Sequence, residues 1–197
     1  MCLLTQKCEI MRSTMMKLTT AKLDLQKGLT CLVLLCALGV PAHSQDFAQP
    51  AGGKWTEYRS EDRMTGAKKV RFELLADNSP DSDESAKIIL FCTDGKLSLA
   101  DFRPNTRMAG PNRPGFWGQP QMQVRVRVDE AHSNHGWNWV NGQFLAMDKG
   151  TTRELLGANL FRIEFDAPRG PQIAEFSPAG LDLERVSKAC GLTPKKP

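Results

Sequence analysis

The sequence predicts an α+β fold that is mainly β: a small antiparallel β-sandwich or open barrel with a short helix and a C-terminal helix. Three observations predict it. Several segments alternate apolar and polar residues with a period of two, which is typical of half-buried antiparallel strands. Turn sequences such as Asp94-Gly95 separate neighbouring segments, as they do in tight hairpins. The chain has no regular alternation of strands and helices, which argues against a doubly wound parallel sheet.

The clearest predicted strand is Gln121 to Asp129. All its even-numbered residues are apolar and would face the core, whereas all its odd-numbered residues are polar and would face solvent. The predicted strands span 55–61, 68–76, 87–93, 96–102, 121–129, 137–147, 160–166 and 172–176. A capping-box sequence, Thr151 to Glu154, predicts the start of a short helix that ends at Gly157. The segment from Gly180 to Gly191 predicts the C-terminal helix, with acids in its first turn and a lysine in its last.

Length and composition fit one globular domain with a tail. The chain has 197 residues, of which 41% are hydrophobic and 24% charged, and these values exclude a polytopic membrane protein, a coiled coil and a disordered chain. Residues 1–44 carry five Lys or Arg and two acids, so the net charge falls from +4 for the whole chain to +1 from Gln45 onward. Non-specific nucleic-acid binding needs a basic excess, so no nucleic-acid partner is expected.

The N-terminal residues are expected to export the protein to the periplasm or the extracellular space. Leu29 to Val40 is an uncharged apolar run of 12 residues, shorter than the roughly 20 that span a bilayer. Basic residues precede it, and Ala42 and Ser44 provide the small-residue pattern of a signal-peptide cleavage site. No stable membrane span is expected after cleavage. The alternative is a permanent N-terminal anchor.

These boundaries divide the chain into four parts. The parts are an N-terminal extension and secretory signal peptide at 1–44, a linker at 45–54, a single β-rich domain at 55–192 and a short tail at 193–197. Met15 and Met16 lie closer to the apolar run than Met1 does, and Met16 followed by Lys17 is a conventional start. Residues 1–15 are therefore expected to be an overlong gene start or an extension without a fold of its own.

The cysteines predict one disulfide. Loss of the leader also removes Cys2, Cys8, Cys31 and Cys36. Cys92 and Cys190 remain, so only one intramolecular pairing is available, and an oxidising compartment favours it. The bond would tie the final helix to a strand, with a stabilisation of somewhat under about 5 kcal/mol in the chain-entropy model. The alternative is two buried free thiols.

The sequence offers no convincing catalytic set, so no enzyme activity and no cofactor are expected. It lacks a phosphate-binding loop and the Gly-x-Ser-x-Gly turn of serine hydrolases. Ser133 lies between His132 and His135, where its side chain is not expected to face both. The alternative is a metal-binding protein or a metal-dependent enzyme, because Asp129, His132 and His135 are of the types that bind zinc. These residues lie in a predicted connection between strands rather than on one helix face.

A candidate binding surface combines arginines of a long loop with arginines of the strand that follows. The loop, Arg103 to Pro120, contains four prolines and three glycines, and connections of this length often carry function. If it folds over the polar face of the next strand, a basic patch would form that suits the carboxylate or phosphate groups of a polysaccharide, a lipid headgroup or an acidic protein surface. The alternative is a solvated face with interleaved acids. The candidate binding residues are Arg103, Arg107, Arg113, Trp117, Arg125 and Arg127.

Trp137 and Trp139 give a second alternative, a carbohydrate-binding module. They are two residues apart on a predicted strand, so they would share one face, and exposed aromatic rings on such a face can bind sugars. The other interpretation is that they fill the core, since a tryptophan contributes a large apolar area to a small domain. Trp117, in the long loop, is the tryptophan expected to be exposed.

A set of spaced residues resembles a known family. Trp55 opens the domain, Cys92 ends a strand, the Arg-Val-Asp sequence of 127–129 ends another, and Phe176-x-x-x-Gly-Leu leads into a helix that closes at Cys190. This pattern covers most of 55–192 and resembles the VasI-like exported proteins associated with type VI secretion, and similar bacterial periplasmic domains. The resemblance implies an accessory role without catalytic residues. The sequence therefore predicts an exported, non-catalytic domain that binds a protein or a cell-envelope component.

Overall fold

The computed structural model describes residues 47–78 and 85–195. The predicted N-terminal extension and signal peptide (1–44) lie outside the described residues, as does the end of the predicted tail. Within the two described ranges, no helix is long and apolar enough to cross a membrane.

The described residues form eleven strands and two helices. The strands are β1 (Phe47–Gly52), β2 (Trp55–Glu61), β3 (Lys68–Leu75), β4 (Lys87–Thr93), β5 (Lys96–Arg103), β6 (Arg113–Pro114), β7 (Pro120–Val128), β8 (Ala131–Val140), β9 (Phe144–Ala146), β10 (Phe161–Ala167) and β11 (Gly170–Phe176). The helices are α1 (Lys149–Leu155) and α2 (Leu183–Cys190).

All strands belong to one antiparallel sheet. Its order is β1-β2-β3-β4-β5-β9-β8-β7-β10-β11, and β6 also pairs with β7. One edge of β7 pairs with β8 along most of its length. Its other edge pairs with β6 near Gln121 and with β10 at 125–128. The β6–β7 hairpin and β10 therefore lie along the same edge of β7.

The sheet curls around a single core. The ring of Phe102 on β5 lies 6.5 Å from the ring of Trp137 on β8, 5.2 Å from that of Phe165 on β10 and 6.2 Å from that of Phe176 on β11. β5 is separated from β10 and β11 by three or more strands. These contacts therefore require the first half of the sheet, β1 to β5, to face the second half, β9-β8-β7-β10-β11. The predicted α+β, mainly β fold, with its antiparallel sheet, is confirmed.

The two halves also meet where β3 ends. Asp77 N donates to Glu175 O at 2.7 Å, and Asn78 Nδ2 donates to Ile173 O at 2.8 Å. In return, Glu175 N donates to Asn78 Oδ1 at 3.1 Å. The sheet stays open, yet these hydrogen bonds satisfy backbone groups of β11 on the edge that faces away from β10.

The predicted disulfide is confirmed. Cys92 on β4 and Cys190 at the end of α2 are bonded, with their Cα atoms 5.0 Å apart. Both residues are buried, because Cys92 shares the inner face of β4 with Ile88 and Leu90. The bond fastens α2 to the middle of the first half of the sheet, and the alternative of two free thiols is excluded.

The predicted strand at 137–147 is in fact two strands, and the first of them begins earlier. β8 runs from Ala131 to Val140, and an Asn141-Gly142 turn with positive φ at both residues (50° and 70°) leads into β9. Asn-Gly favours this turn because both residues tolerate the left-handed region. The segment around His132 and His135 is therefore strand and not a connecting loop.

Two boundaries of the predicted domain were wrong. The segment 45–54 was expected to be a linker, but β1 occupies most of it and pairs with β2 from Phe47 to Gly52. The segment 193–197 was expected to be a short tail outside the domain. Lys195 N donates to Arg153 O at 3.0 Å, and Arg153 Nε donates to Thr193 O at 3.1 Å, so the described part of this segment packs against α1.

The short helix starts three residues earlier than its capping-box sequence predicts. The N-cap is Asp148 and not Thr151. The side chain of Asp148 accepts a hydrogen bond from Thr151 N. Thr151 and Thr152 are buried. Asp is as good an N-cap as Thr, and Asp148 additionally binds side chains of β8, as described below.

Candidate functional site

Three of the six candidate binding residues share the outer face of the sheet around β7. Arg125 and Arg127 point outward from β7, because the alternating residues Val124 and Val126 are buried. Arg113 on β6 pairs directly with Gln121 of β7 and therefore lies on the same face. Its Nη1 donates to Gln123 Oε1 at 3.4 Å. The loop does not fold over this face as expected, because its β6 segment pairs with the edge of β7, and only the side chain of Arg113 reaches the face.

The other candidate residues lie elsewhere. Arg103 is on β5, separated from β7 by β9 and β8, and it binds the buried Asp101. Arg107 is exposed in the loop after β5, where it lines a shallow depression together with Arg103. Trp117 is 85% exposed at the tip of the β6–β7 hairpin, next to the exposed ring of Phe116. The six predicted residues do not form one patch.

A groove crosses the outer face of β8, β7, β10 and β11. We call it the arginine groove, and its volume is about 480 Å³. Its lining residues are Arg125, Arg127, Glu130, His132, Arg162, Glu164 and Ile173. Arg162 and Glu164 belong to β10 and were not among the predicted binding residues. They are found only when the register is known, since Arg162 pairs with Arg127 and Glu164 with Arg125.

Each arginine of the groove has a glutamate partner. Arg125 binds Glu164, Arg127 Nη2 lies 3.0 Å from Glu130 Oε2, and Arg162 Nε lies 2.6 Å from Glu175 Oε2. The hydrogen bond and the charge of Glu164 raise the pKa of Arg125 above its ordinary value. The groove is thus a neutral array of oriented ion pairs and not a basic patch.

The predicted metal ligands do not converge. His132 pairs with Arg127 and lines the outer groove, whereas His135 pairs with the buried Val124 and faces the other side of the sheet. Asp129 Oδ1 accepts from Asn159 N at 3.0 Å and from Leu160 N at 2.9 Å, which holds the loop before β10. In the part of the chain that the structure describes, no group of three or more His, Cys, Asp or Glu could hold a metal ion. The strand alternation separates this candidate set.

The two tryptophans proposed for carbohydrate binding do not form an exposed platform. Trp137 is 1% exposed and lies in the core. Trp139 is half-buried, and its Nε1 donates to Ala109 O at 3.1 Å. Both tryptophans therefore fill the core, and the hydrogen bond of Trp139 also holds the loop that follows β5.

A second cluster, which the sequence did not predict, lies beside Trp137. Ser133 Oγ is 2.7 Å from His135 Nε2, and His135 Nδ1 is 3.2 Å from Asp148 Oδ2 and 3.1 Å from Thr151 Oγ1. The side chains of Ser133 and His135 can form a hydrogen bond because both lie on one face of β8. Ser133 faces His135 but not His132, so the expectation that it would not face both histidines is confirmed. The contact between Ser133 and His135 could not be predicted, because 130–136 was expected to be a loop.

Asp148 holds this cluster together. It accepts from Thr151 N at 2.8 Å, from Thr151 Oγ1 at 2.6 Å and from Trp137 Nε1 at 3.2 Å. Burial acts to raise the pKa of Asp148, but the hydrogen bonds from Thr151, the charge of His135 and the bond from Trp137 outweigh it and keep this pKa below its ordinary value. Asp148 is therefore an ionised helix cap at neutral pH.

No family model matches the chain, and neither a curated protein nor a solved structure matches it.

Proposed function

We propose that the protein is an exported binding domain and that its arginine groove binds a carboxylate or phosphate group of a protein or cell-envelope component. One observation supports this most directly. Arg125, Arg127 and Arg162 come from two neighbouring strands and line one groove. Planar guanidinium groups bind carboxylates and phosphates through pairs of parallel hydrogen bonds.

The ion pairs within the groove allow such a ligand to bind by exchange. The side chain of Glu130 is 95% exposed, so its pairing with Arg127 contributes little and is easily displaced. Arg127 stays in place when this happens, because its Nε donates to Asp129 O at 2.8 Å. A ligand acid that replaces Glu130 would reach Arg127, with Arg162 and His132 lining the same groove.

Export is part of the proposal. Its support is the apolar run and cleavage pattern of the leader, together with the disulfide, which oxidising compartments favour. The resemblance to VasI-like proteins adds a role as an accessory of type VI secretion to the proposal. In that role the groove would contact an acidic surface of another component.

The groove is tested with two probes, a fluorescent hexaglutamate peptide and a fluorescent polyphosphate. Binding to the purified protein is measured by fluorescence anisotropy at about 0.15 M salt, where the Debye length is about 8 Å. The variant Arg127→Gln/Arg162→Gln should weaken binding of at least one probe by about tenfold or more, since each charge-assisted hydrogen bond contributes about 1.5–3 kcal/mol. The preferred probe distinguishes a carboxylate ligand from a phosphate ligand.

The matched control is Arg107→Gln/Arg169→Gln, which removes two exposed arginines outside the groove. It lowers the net charge by the same amount and should leave the affinity within about twofold, because long-range attraction alone is weak and screened by salt. Equal losses in both double variants would mean that the probes sense only the net charge, and the proposal would then be wrong.

A further inference from the structure

We propose that Ser133 is an activated nucleophile that accepts acyl groups from carboxylic esters, with His135 as its general base and Asp148 as the residue that orients His135. The three side chains form one hydrogen-bonded series of hydroxyl, imidazole and carboxylate. Serine hydrolases of unrelated folds use this same order of groups. The site is independent of the arginine groove, because the groove lies on the opposite face of β8.

The backbone holds these groups in place from two directions. Ser133 and His135 are two residues apart on β8 and pair with Val126 and Val124, so both side chains lie on the inner side of the sheet at its margin. Asp148 comes from a different element, as the N-cap of α1. Sites built on strands and helix ends are better fixed than sites on loops, which favours a defined geometry for proton transfer.

The surrounding hydrogen bonds select one tautomer of His135. The hydroxyl of Thr151 donates its proton to Asp148 Oδ2 at 2.6 Å, so toward His135 Nδ1 it acts as an acceptor. Asp148 and Thr151 both accept at Nδ1, which assigns the proton of the neutral ring to that nitrogen. Nε2 is then left with its lone pair, 2.7 Å from Ser133 Oγ. This is the position that a general base needs.

Asp148 stabilises the charge that proton transfer creates. Its carboxylate stays ionised because Thr151 and Trp137 donate to it. An ionised carboxylate beside Nδ1 favours the imidazolium that forms when Nε2 takes the serine proton. Contacts at both ring nitrogens, with Ser133 at Nε2 and with Asp148 and Thr151 at Nδ1, hold the ring in one orientation.

The serine is open to substrate. Ser133 is exposed, and the side chain of His135 is 22% exposed. An ester that projects from a bulky or polymeric molecule can approach Oγ without entering an enclosed pocket. General-base assistance of this kind contributes about 10²–10⁴ in rate, which sets the size of the effect to be measured.

The reaction is an acyl transfer to Ser133. Oγ attacks the carbonyl carbon of the ester while its proton passes to His135 Nε2, and a tetrahedral intermediate forms. The carbon–oxygen bond to the alcohol then breaks, and Nε2 returns the proton to the departing alkoxide, which leaves an acyl-Ser133 ester. Water, activated by the same nitrogen, releases the carboxylic acid and restores the hydroxyl.

The test uses an alkyl fluorophosphonate on the full purified protein, followed by peptide mass mapping. Attack by Ser133 Oγ forms an oxygen–phosphorus bond and expels fluoride, and His135 Nε2 takes the serine proton. Labelling of Ser133 should be at least about 100-fold faster than labelling of Ser98. Ser98 is an exposed serine whose hydroxyl donates to Thr93 Oγ1 rather than to an imidazole.

Variants separate a nucleophile from a purely structural cluster. Ser133→Ala should remove the adduct and leave the melting temperature nearly unchanged, because the side chain is exposed. His135→Gln should slow labelling of Ser133 by about 100-fold or more. If His135→Gln does not fold, the comparison of the labelling rates of Ser133 and Ser98 in the wild-type protein still tests the proposal. Labelling of Ser133 no faster than that of Ser98 would overturn the proposal, and so would unchanged labelling in a folded His135→Gln protein.

Discussion

At the scale of single residues, two buried carboxylates of the first half-sheet have different surroundings. Glu57 is fully buried and has two arginine partners, Arg59 and Arg185, the latter 3.2 Å away. Asp101 is also fully buried, but Arg103 binds only its Oδ2, at 2.9 Å and 3.0 Å. Among the described residues, Oδ1 of Asp101 has no hydrogen-bond partner. An ionised carboxylate with one unsatisfied buried oxygen is costly.

This cost predicts how Asp101 affects stability as the pH changes. Burial raises the pKa of Asp101 above its ordinary value of 3.8, although the hydrogen bond and the charge of Arg103 act against the shift. Above that value the unfolded chain releases the proton, while the folded protein still holds it. The contribution of Asp101 to the free energy of unfolding therefore falls as the pH rises through this window.

The measurement is urea denaturation of the wild type and of Asp101→Asn between about pH 4 and 7, which spans the ordinary carboxyl range and neutrality. The difference in unfolding free energy, wild type minus variant, should decrease as the pH rises and become constant above the folded-state pKa. An increase over the same interval would show that Arg103 dominates and that the pKa is lowered.

At the scale of elements, the approach of the β1–β2 turn to the chain before α2 depends on glycine. Gly53 has a φ of 57°, and a Cβ atom there would lie 2.2 Å from Ala179 O. Asp182 N also donates to Ala51 O at 2.9 Å, so the two backbones are held close. This contact positions α2 against β1, the edge strand of the first half-sheet.

The variant Gly53→Ala tests this contact. It should lower the free energy of unfolding by about 2–4 kcal/mol, since strain at positive φ and a backbone clash both contribute. Gly118→Ala is the matched control, because Gly118 also has positive φ (77°) but no atom within 4 Å of an added Cβ. The control should lose only about 1–2 kcal/mol. Equal losses in urea denaturation would show that the backbones do not meet as described.

Strands that strictly alternate apolar and polar residues could be predicted from the sequence. Strands that depend on pairing with a neighbour, and lack this alternation, could not. β7 and β10 follow from their own sequences because each alternates apolar and polar residues. β8 has only polar residues and glycine from His132 to Gly136, so no apolar period marks its first half. In this first half only the pairing with β7 makes the segment a strand, and the extended conformation places His135 on the same face as Ser133.

The candidate sites depend on the same non-local information. The arginines of β7 could be predicted as outward-facing, whereas Arg162 joins them only through the β7–β10 register. Asp148 reaches His135 because α1 begins there, while the Thr-x-x-Glu pattern predicted an N-cap at Thr151. A local capping rule identifies the residues that can serve as the N-cap of α1. The packing of α1 against β8 determines which of these residues is the N-cap.

At the scale of the whole molecule, the disulfide joins the C-terminal helix α2 to β4 in the first half of the sheet. The bonded cysteines are 98 residues apart in sequence, and α2 also packs against β4 and β5 beside the bond. The double variant Cys92→Ala/Cys190→Ala should lower the free energy of unfolding by about 2–5 kcal/mol. Thiol alkylation of the untreated wild-type protein should modify neither residue, and alkylation after reduction in urea should modify both. A wild-type protein that is alkylated without reduction would contradict the bond.

That bond has a consequence for proteolysis. The exposed Phe116–Trp117 tip lies between the two cysteines in sequence, so a protease that cuts there would nick the chain without releasing either fragment. The nicked protein would migrate as one species on a non-reducing gel and as two after reduction. Cleavage at the most accessible aromatic pair would thus leave a covalently joined, two-chain molecule.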